Sequence, residues 1–225
     1  YSFMDWKGIS SNMTFIGLEN YFVILKDGAF WNSVKNNLIL VVVSVCVQIP
    51  GGLLLALLVN AKNIKGIKFF RTIFFMPRLL STVATGIMWI LFYDPTFGLL
   101  AKIIKALGLN ISTAFLQGKS ALYAILFVVC WIYIPYYMII IRAGLTNISE
   151  ELYEASKIDG ANGWQAFWSI TMPLITPTLR SAAVLSLVGS LKYFDLFYVM
   201  MGGAPNENTE LMATYMYKRG FTQFK

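Results

Sequence analysis

The sequence predicts an all-α fold, a polytopic transmembrane helix bundle, and three observations predict it. Hydrophobic residues fill 57% of the 225 positions and charged residues only 13%, about half the charged share of a soluble globular chain. The apolar residues gather in blocks long enough to cross a bilayer, roughly 20 residues each. Within each block apolarity is continuous rather than alternating. Backbone polar groups must then be paired by helices, since a closed barrel would show a period of two.

Four blocks qualify as spans, at about 38–59, 72–93, 121–145 and 174–201. Pro50 with Gly51 and Gly52 interrupts the first, Pro77 the second and Pro135 the third, so kinks are expected at these points. Gly52 and Ala56 form a small-xxx-small pair that suits close packing of helices. The connection from Asn60 to Arg71 carries Lys62, Lys65, Lys68 and Arg71 and no acid. A short basic loop beside span ends marks the cytoplasmic face. This topology puts residues 146–173 in the cytoplasm and both ends of the chain outside, although Lys102, Lys105 and Lys119 then fall outside as well. Residues 1–225 read as a single transmembrane domain. Tyr1–Gly8 lack the pattern of a signal peptide. With no initiator Met and a tail "YKRGFTQFK" that closes no element, the sequence is expected to be a piece of a longer chain.

Composition also narrows the chemistry. The net charge of +7 is dispersed between apolar runs rather than clustered on one face, which argues against nucleic acid. Histidine is absent, removing the commonest metal ligand and general base together, so no catalytic or metal-binding residue is assigned. Cys46 and Cys130 each lie inside an apolar block, where a thiol acts as a small hydrophobe. "GKS" at 118–120 lacks the earlier glycine of a phosphate loop, because Thr113 stands there.

The most acidic patch lies between the third and fourth spans, in "EELYEASKIDGANGWQAFWSITMPLITPTL" at 150–179. Ser149 is a good N-cap, and Glu150 and Glu151 place negative charge on the first turn of a helix. Leu152, Ala155 and Ile158 follow at helical spacing as an apolar stripe, and Gly160 stops the helix as a C′ glycine does. "GANG" then turns into a second segment bearing Trp164, Phe167, Trp168 and Ile170, which Pro173 ends. A helix lying in headgroups favours Lys and Arg on its polar face. Here Lys157 faces Glu150, Glu151, Glu154 and Asp159, so a soluble protein partner fits better than anionic lipid.

"EASKIDGANGWQAFWSITMPLITPTL" closely resembles the E-A-A-x-x-x-G motif and following I-x-L-P of permease subunits in binding-protein-dependent ABC importers. The matched residues are Glu154, Ala155, Asp159, Gly160, Ala161, Trp164, Phe167, Ile170, Pro173 and Pro177. Ser156 stands where a second Ala is usual and Met172 where Leu is usual. Residues 15–60, 66–100 and 190–221 look like the sugar and glycerol-phosphate (maltose-type) branch. Its F-D…Y…GGP pattern is present as Phe194, Asp195, Tyr198, Gly202 and Gly203, with Ala204 inserted before Pro205. The resemblance implies the type I importer permease fold, with six core spans of which this chain holds four. It further implies that Glu150, Glu151, Glu154, Ala155, Ser156, Asp159, Gly160 and Ala161 form the helix that docks on an ATPase. The partners implied are a second, homologous but non-identical permease, two cytoplasmic ATP-binding subunits that carry the ATP and Mg, an external or periplasmic substrate-binding protein, and membrane lipid.

Charges inside spans are costly and call for a role. Arg180 is close enough to the cytoplasmic end to snorkel, and Arg78, after Pro77, reads as an anchor. Lys192 and Asp195 sit at i and i+3, as an interfacial ion pair or a ligand-facing pair. Trp131, Tyr133, Tyr136 and Tyr137 surround Pro135 midway along the third span. With Lys192, Phe194 and Asp195 they are the candidate substrate path, because broken helices near the midplane are where transport sites form. The expected function is the permease subunit of an ATP-driven importer for a sugar, oligosaccharide or polyol phosphate, with no covalent chemistry of its own, in a prokaryotic cell membrane. An importer of amino acids or peptides, and a secondary transporter or channel, are the alternatives.

Overall fold

The computed structural model describes residues 1–6, 13–60, 67–109 and 112–222. The basic residues Lys62 and Lys65, and the side chains of Lys68 and Arg71, lie outside the described part. A two-stranded ribbon, β1 (Met4–Asp5) with β2 (Thr14–Phe15), precedes a chain of helices. These are α1 (Glu19–Lys26), α2 (Gly28–Val43), α3 (Ile49–Asn60), α4 (Ile67–Leu79), α5 (Thr82–Phe92), α6 (Leu99–Ala106) and α7 (Ser120–Thr146). They continue with α8 (Glu150–Ile158), α9 (Gly163–Ala166), α10 (Met172–Leu191), α11 (Asp195–Met200) and α12 (Met212–Tyr217). Two compact units emerge, one of 1–40, 82–126 and 190–225, the other of 41–81 and 127–189.

Among the described residues, three helical stretches are long and apolar enough to cross a membrane: Gly28–Asn60, Ser120–Thr146 and Gly163–Leu191. The fourth span is broken, as Thr72–Leu79 and Thr82–Phe92 meet at 105°. The bend falls at Leu80–Ser81 and not at the expected Pro77, which stays inside α4. Ser81, immediately before α5, is a residue type that favours a fresh helix start. Among the described residues three short π-helical turns occur, Ser44–Gln48, Phe167–Thr171 and Lys218–Thr222, and a proline follows each of the first two within two residues. Pro50 and Pro173 lack the N–H that would bond the carbonyls of Cys46 and Ser169 and crowd them sterically, and a widened turn relieves both conflicts.

Three span boundaries differ from the sequence expectation; one of them is the start of the last stretch, at Gly163 rather than near 174. The first helix begins at Gly28 rather than near residue 38. Ser33, Asn36 and Asn37 break the apolar run but are buried and bonded. Asn36 Nδ2 donates to the carbonyls of Glu207 (3.2 Å) and Glu210 (3.0 Å). Asn37 Nδ2 donates to Ser190 O at 2.8 Å, and its Oδ1 accepts from Met212 N at 2.8 Å. The last span ends at Leu191 rather than near 201. There the Ser190 carbonyl accepts from Asn37 Nδ2 and, in a tight three-residue turn, from Tyr193 N–H at 3.3 Å, and the chain re-enters a helix only at Asp195.

In the second unit, Ile49, Ala56 and Val59 of α3 pack with Tyr137, Met138, Ile141 and Leu145 of α7 and with Ile175 and Ala182 of α10. Gly52 makes the close approach possible. A Cβ there would lie 2.8 Å from Tyr137 Cβ and 3.0 Å from Met138 N, so α3 and α7 touch nearly backbone to backbone. Leu54, Leu58, Val184, Leu185 and Val188 are exposed, the pattern of helices whose outer faces meet lipid.

Candidate coupling segment and intramembrane site

The segment between α7 and α10 is built from local rules. Ser149 Oγ accepts from Glu151 N at 3.3 Å, capping α8, with Glu150 and Glu151 in the first turn. At the other end Gly160 has φ +78°. Its N–H reaches Lys157 O at 3.1 Å and that of Ala161 reaches Ser156 O at 2.9 Å, the paired bonds of a Schellman stop. One residue on, Asn162 and Gln165 form a reciprocal capping box, with Gln165 N to Asn162 Oδ1 at 2.9 Å and Asn162 N to Gln165 Oε1 at 2.8 Å. The two helices are thus closed units joined by Gly160–Asn162.

The inward side of α8 is held by Tyr153, whose hydroxyl lies 2.8 Å from Thr171 Oγ1, while the Ser156 hydroxyl donates within the helix to Tyr153 O at 2.9 Å. The apolar stripe points the other way. Leu152 is 44% and Ile158 86% exposed, with Ala155 exposed between them. Glu150, Glu151, Glu154 and Asp159 are exposed as well, while Ala161 is half-buried at the elbow. Trp164 and Trp168 on the following segment are also largely open. A pocket of about 350 Å³ separates α8 and α9 from the ends of α3 and α7, lined by Leu57, Asn60, Leu145, Tyr153 and Phe167 among others.

The aromatic candidates of α7 are drawn together in part. Tyr133 and Tyr136 meet edge to face at 6.2 Å, Tyr136 and Tyr137 at 5.3 Å, and Tyr137 is buried. Trp131 is half-buried on the preceding turn. Sequence reasoning missed their main neighbour, Arg78. Its guanidinium carbon lies 5.2 Å from the ring centres of both Tyr133 and Tyr136, so it turns onto α7 instead of serving only as an end anchor. The one signal in the sequence was a cation in an apolar span beside a proline.

Lys192 and Asp195 do not share a helix face. Lys192 lies in the turn after α10 and Asp195 is the first residue of α11; both are exposed, and no ion pair joins them. The i and i+3 reading fails because Leu191 is the last residue of its helix. Phe194 stacks on Tyr198 at 4.9 Å and meets Tyr217 at 5.3 Å, so it serves an aromatic cluster in the first unit.

Comparison with known proteins adds to this geometry. Residues 48–223 match the model of a family described as "Binding-protein-dependent transport system inner membrane component". A probable ABC transporter permease protein of Pyrococcus horikoshii is 38% identical over 224 residues, covering 99% of this chain and 76% of the relative. The multiple sugar-binding transport system permease protein MsmF of Streptococcus mutans is 32% identical over 223 residues, 98% of this chain and 76% of the relative. Among solved structures, a chain of a bacterial alginate ABC transporter in complex with an alginate pentasaccharide-bound periplasmic protein superposes with a TM-score of 0.85 at 26% identity, over 92% of this chain and 73% of that one.

Proposed function

The chain belongs to the family of binding-protein-dependent transport system inner membrane components, and we propose that it is the permease of an ATP-driven importer for a sugar or oligosaccharide. The relative named for multiple sugars and the structural neighbour solved with an alginate oligosaccharide on its periplasmic protein support the cargo class. That same neighbour supports an external substrate-binding protein as partner. A second permease subunit and two cytoplasmic ATPases carrying ATP and Mg complete the assembly.

The observation that carries the mechanism is α8. It is capped at both ends and rooted by Tyr153 on Thr171, and it presents Leu152 and Ile158 outward with a rim of acids. A short rigid helix with an exposed apolar stripe is the shape that fits a groove on a soluble partner. Closure of the ATPases on ATP would push this helix as one body. The thrust passes to α10, because α8 is tied to the turn from which α10 starts, and α10 packs on α3 and α7 in the core of the second unit. The spans then exchange inward-facing and outward-facing states without covalent chemistry on this chain. The tyrosines around Pro135 would line the path.

The test is uptake of a labelled oligosaccharide into proteoliposomes holding the assembled complex and its binding protein. Uptake should require ATP and the ATPase subunits. Glu154→Lys and Gly160→Val should abolish uptake while leaving the affinity of the binding protein unchanged. Uptake that survives removal of the ATPases would support a secondary transporter instead.

A further inference from the structure

Among the described residues Arg78 has no ion-pair partner. In the unit that contains it, residues 41–81 and 127–189, the only acids are Glu150, Glu151, Glu154 and Asp159, all in the coupling segment. None of its N–H donors meets an oxygen acceptor among the described residues; its contacts are the faces of Tyr133 and Tyr136. A place in the last turn of α4 accounts for a cation there, since the carbonyl end of a helix attracts one. It does not account for the turn of the side chain onto α7. A guanidinium held over aromatic rings keeps its planar fork of N–H donors available for an oxyanion, which it can bind with two parallel bonds.

The surroundings are those of a transport site. Two residues beyond Arg78 the span breaks at Leu80–Ser81 with the 105° bend. Facing it, Pro135 of α7 withholds an N–H from the carbonyl of Trp131, between the two tyrosines that hold the guanidinium. Broken helices at membrane depth are tolerated where they are buried in protein or line a cavity. Phenol hydroxyls from Tyr133 and Tyr136 add donors and acceptors that suit sugar hydroxyls.

We propose that Arg78, clamped by Tyr133 and Tyr136, is an oxyanion subsite of the translocation path, and that the cargo is an anionic saccharide bearing a carboxylate or phosphate. The assignment rests on the sugar-importer reading above and narrows it. Tyr133 and Tyr136 hold the guanidinium in place, and Arg78 itself touches the cargo.

The experiment uses the complete transporter, with both permeases, ATPases and binding protein, in proteoliposomes. Uptake of a uronate-containing oligosaccharide and of a sugar phosphate is compared with that of neutral oligosaccharides of equal length. Arg78→Gln should raise the half-saturating concentration for whichever anionic cargo is taken up by roughly ten- to a hundredfold, the range expected for lost hydrogen bonds to a charged group, and by a clearly smaller factor for neutral cargo. Arg78→Lys should fall between, because it keeps the charge and loses the fork. Intact assembly of each variant is checked by size-exclusion chromatography. Equal effects on neutral and anionic cargo, or none on either, would overturn the subsite while leaving the sugar importer standing. An Arg78→Gln defect that appears only in vesicles containing anionic lipid would give the guanidinium to headgroups and likewise overturn it. If the unmodified complex moves no saccharide at all, the sugar reading itself fails and the subsite with it.

Discussion

Two polar regions of this apolar chain are built in opposite ways. The segment at 149–166, for which the coupling role is proposed, is satisfied almost wholly by its own neighbours: Ser149 caps Glu151, Ala161 bonds Ser156, and Asn162 and Gln165 cap each other. Its apolar side chains are left outside. The polar residues of α2 do the reverse. Asn36 and Asn37 are buried and bond to groups 153 to 175 positions away, at Ser190, Glu207, Glu210 and Met212. The first region is thus a finished part with a surface to offer, and the second is a fastening whose removal must be felt throughout its unit.

The largest effect is therefore expected at Asn37. Replacing it with Leu leaves the part-buried Met212 N–H without its acceptor and removes the Asn37 donor from the Ser190 carbonyl, which keeps only the longer bond from Tyr193 N–H; this should cost about 2 to 3 kcal/mol at the usual cost of an orphaned polar group. Thermal unfolding of the detergent-solubilised protein, followed by tryptophan fluorescence, measures it. A midpoint within error of the parent would mean the asparagine bonds are dispensable.

The contrast also explains what was legible in the sequence. Caps, stripe and stop of α8 obey rules spanning four or five residues, so "SEELYEASKIDGANG" announces its own shape. The spans announce themselves by continuous hydropathy. Their true ends do not: α2 runs through two asparagines because distant backbone groups satisfy them, and α10 stops at Leu191, where the Ser190 carbonyl accepts from distant Asn37 and from Tyr193 in a tight turn. Lys192 and Asp195 were misjudged for that reason. The break at Leu80–Ser81 and the seat of Arg78 on α7 depend likewise on partners that no local window contains.

A smaller effect is expected at Asp27, which fastens the start of α2 in the same manner. Its Oδ1 accepts from Ala29 N at 2.9 Å and its Oδ2 from the Tyr215 hydroxyl at 2.8 Å, with Arg219 paired beside it. The Tyr215 hydrogen bond, opposed by desolvation and helped by Ala29 and Arg219, holds the carboxyl below its usual value. A lowered carboxyl contributes stability fully present above its unfolded pKa, about 4, and lost as pH falls through the folded value. Asp27→Asn should thus cost about 1 to 2 kcal/mol at neutral pH. The gap between variant and parent should close below about pH 4 and stay constant between roughly pH 5 and 8.

In the coupling segment the expected cost to stability falls again. Gly160→Ala forces a side chain into the left-handed region at φ +78°, worth about 1 kcal/mol locally. Amide hydrogen exchange should quicken at 158–161 and stay unchanged in α10. If exchange quickened along α10 as well, the two segments would not be the separate units their caps describe.

Ile158 sharpens the comparison most, because its predicted effect on stability is the smallest. At 86% exposed it touches little of its own chain, so Ile158→Asp should shift the unfolding free energy by less than about 0.5 kcal/mol. The same change places a charge where the outward stripe would meet an apolar groove, and burying an unpaired charge is prohibitive. Co-purification of the ATPase subunits with the permease should fail for Ile158→Asp and persist for Ile158→Leu. A variant as stable as the parent that no longer holds its ATPases separates docking from folding, which the Asn37 variant cannot do. Retention of the ATPases by Ile158→Asp would remove the stripe from the interface and leave the acidic rim as the docking surface.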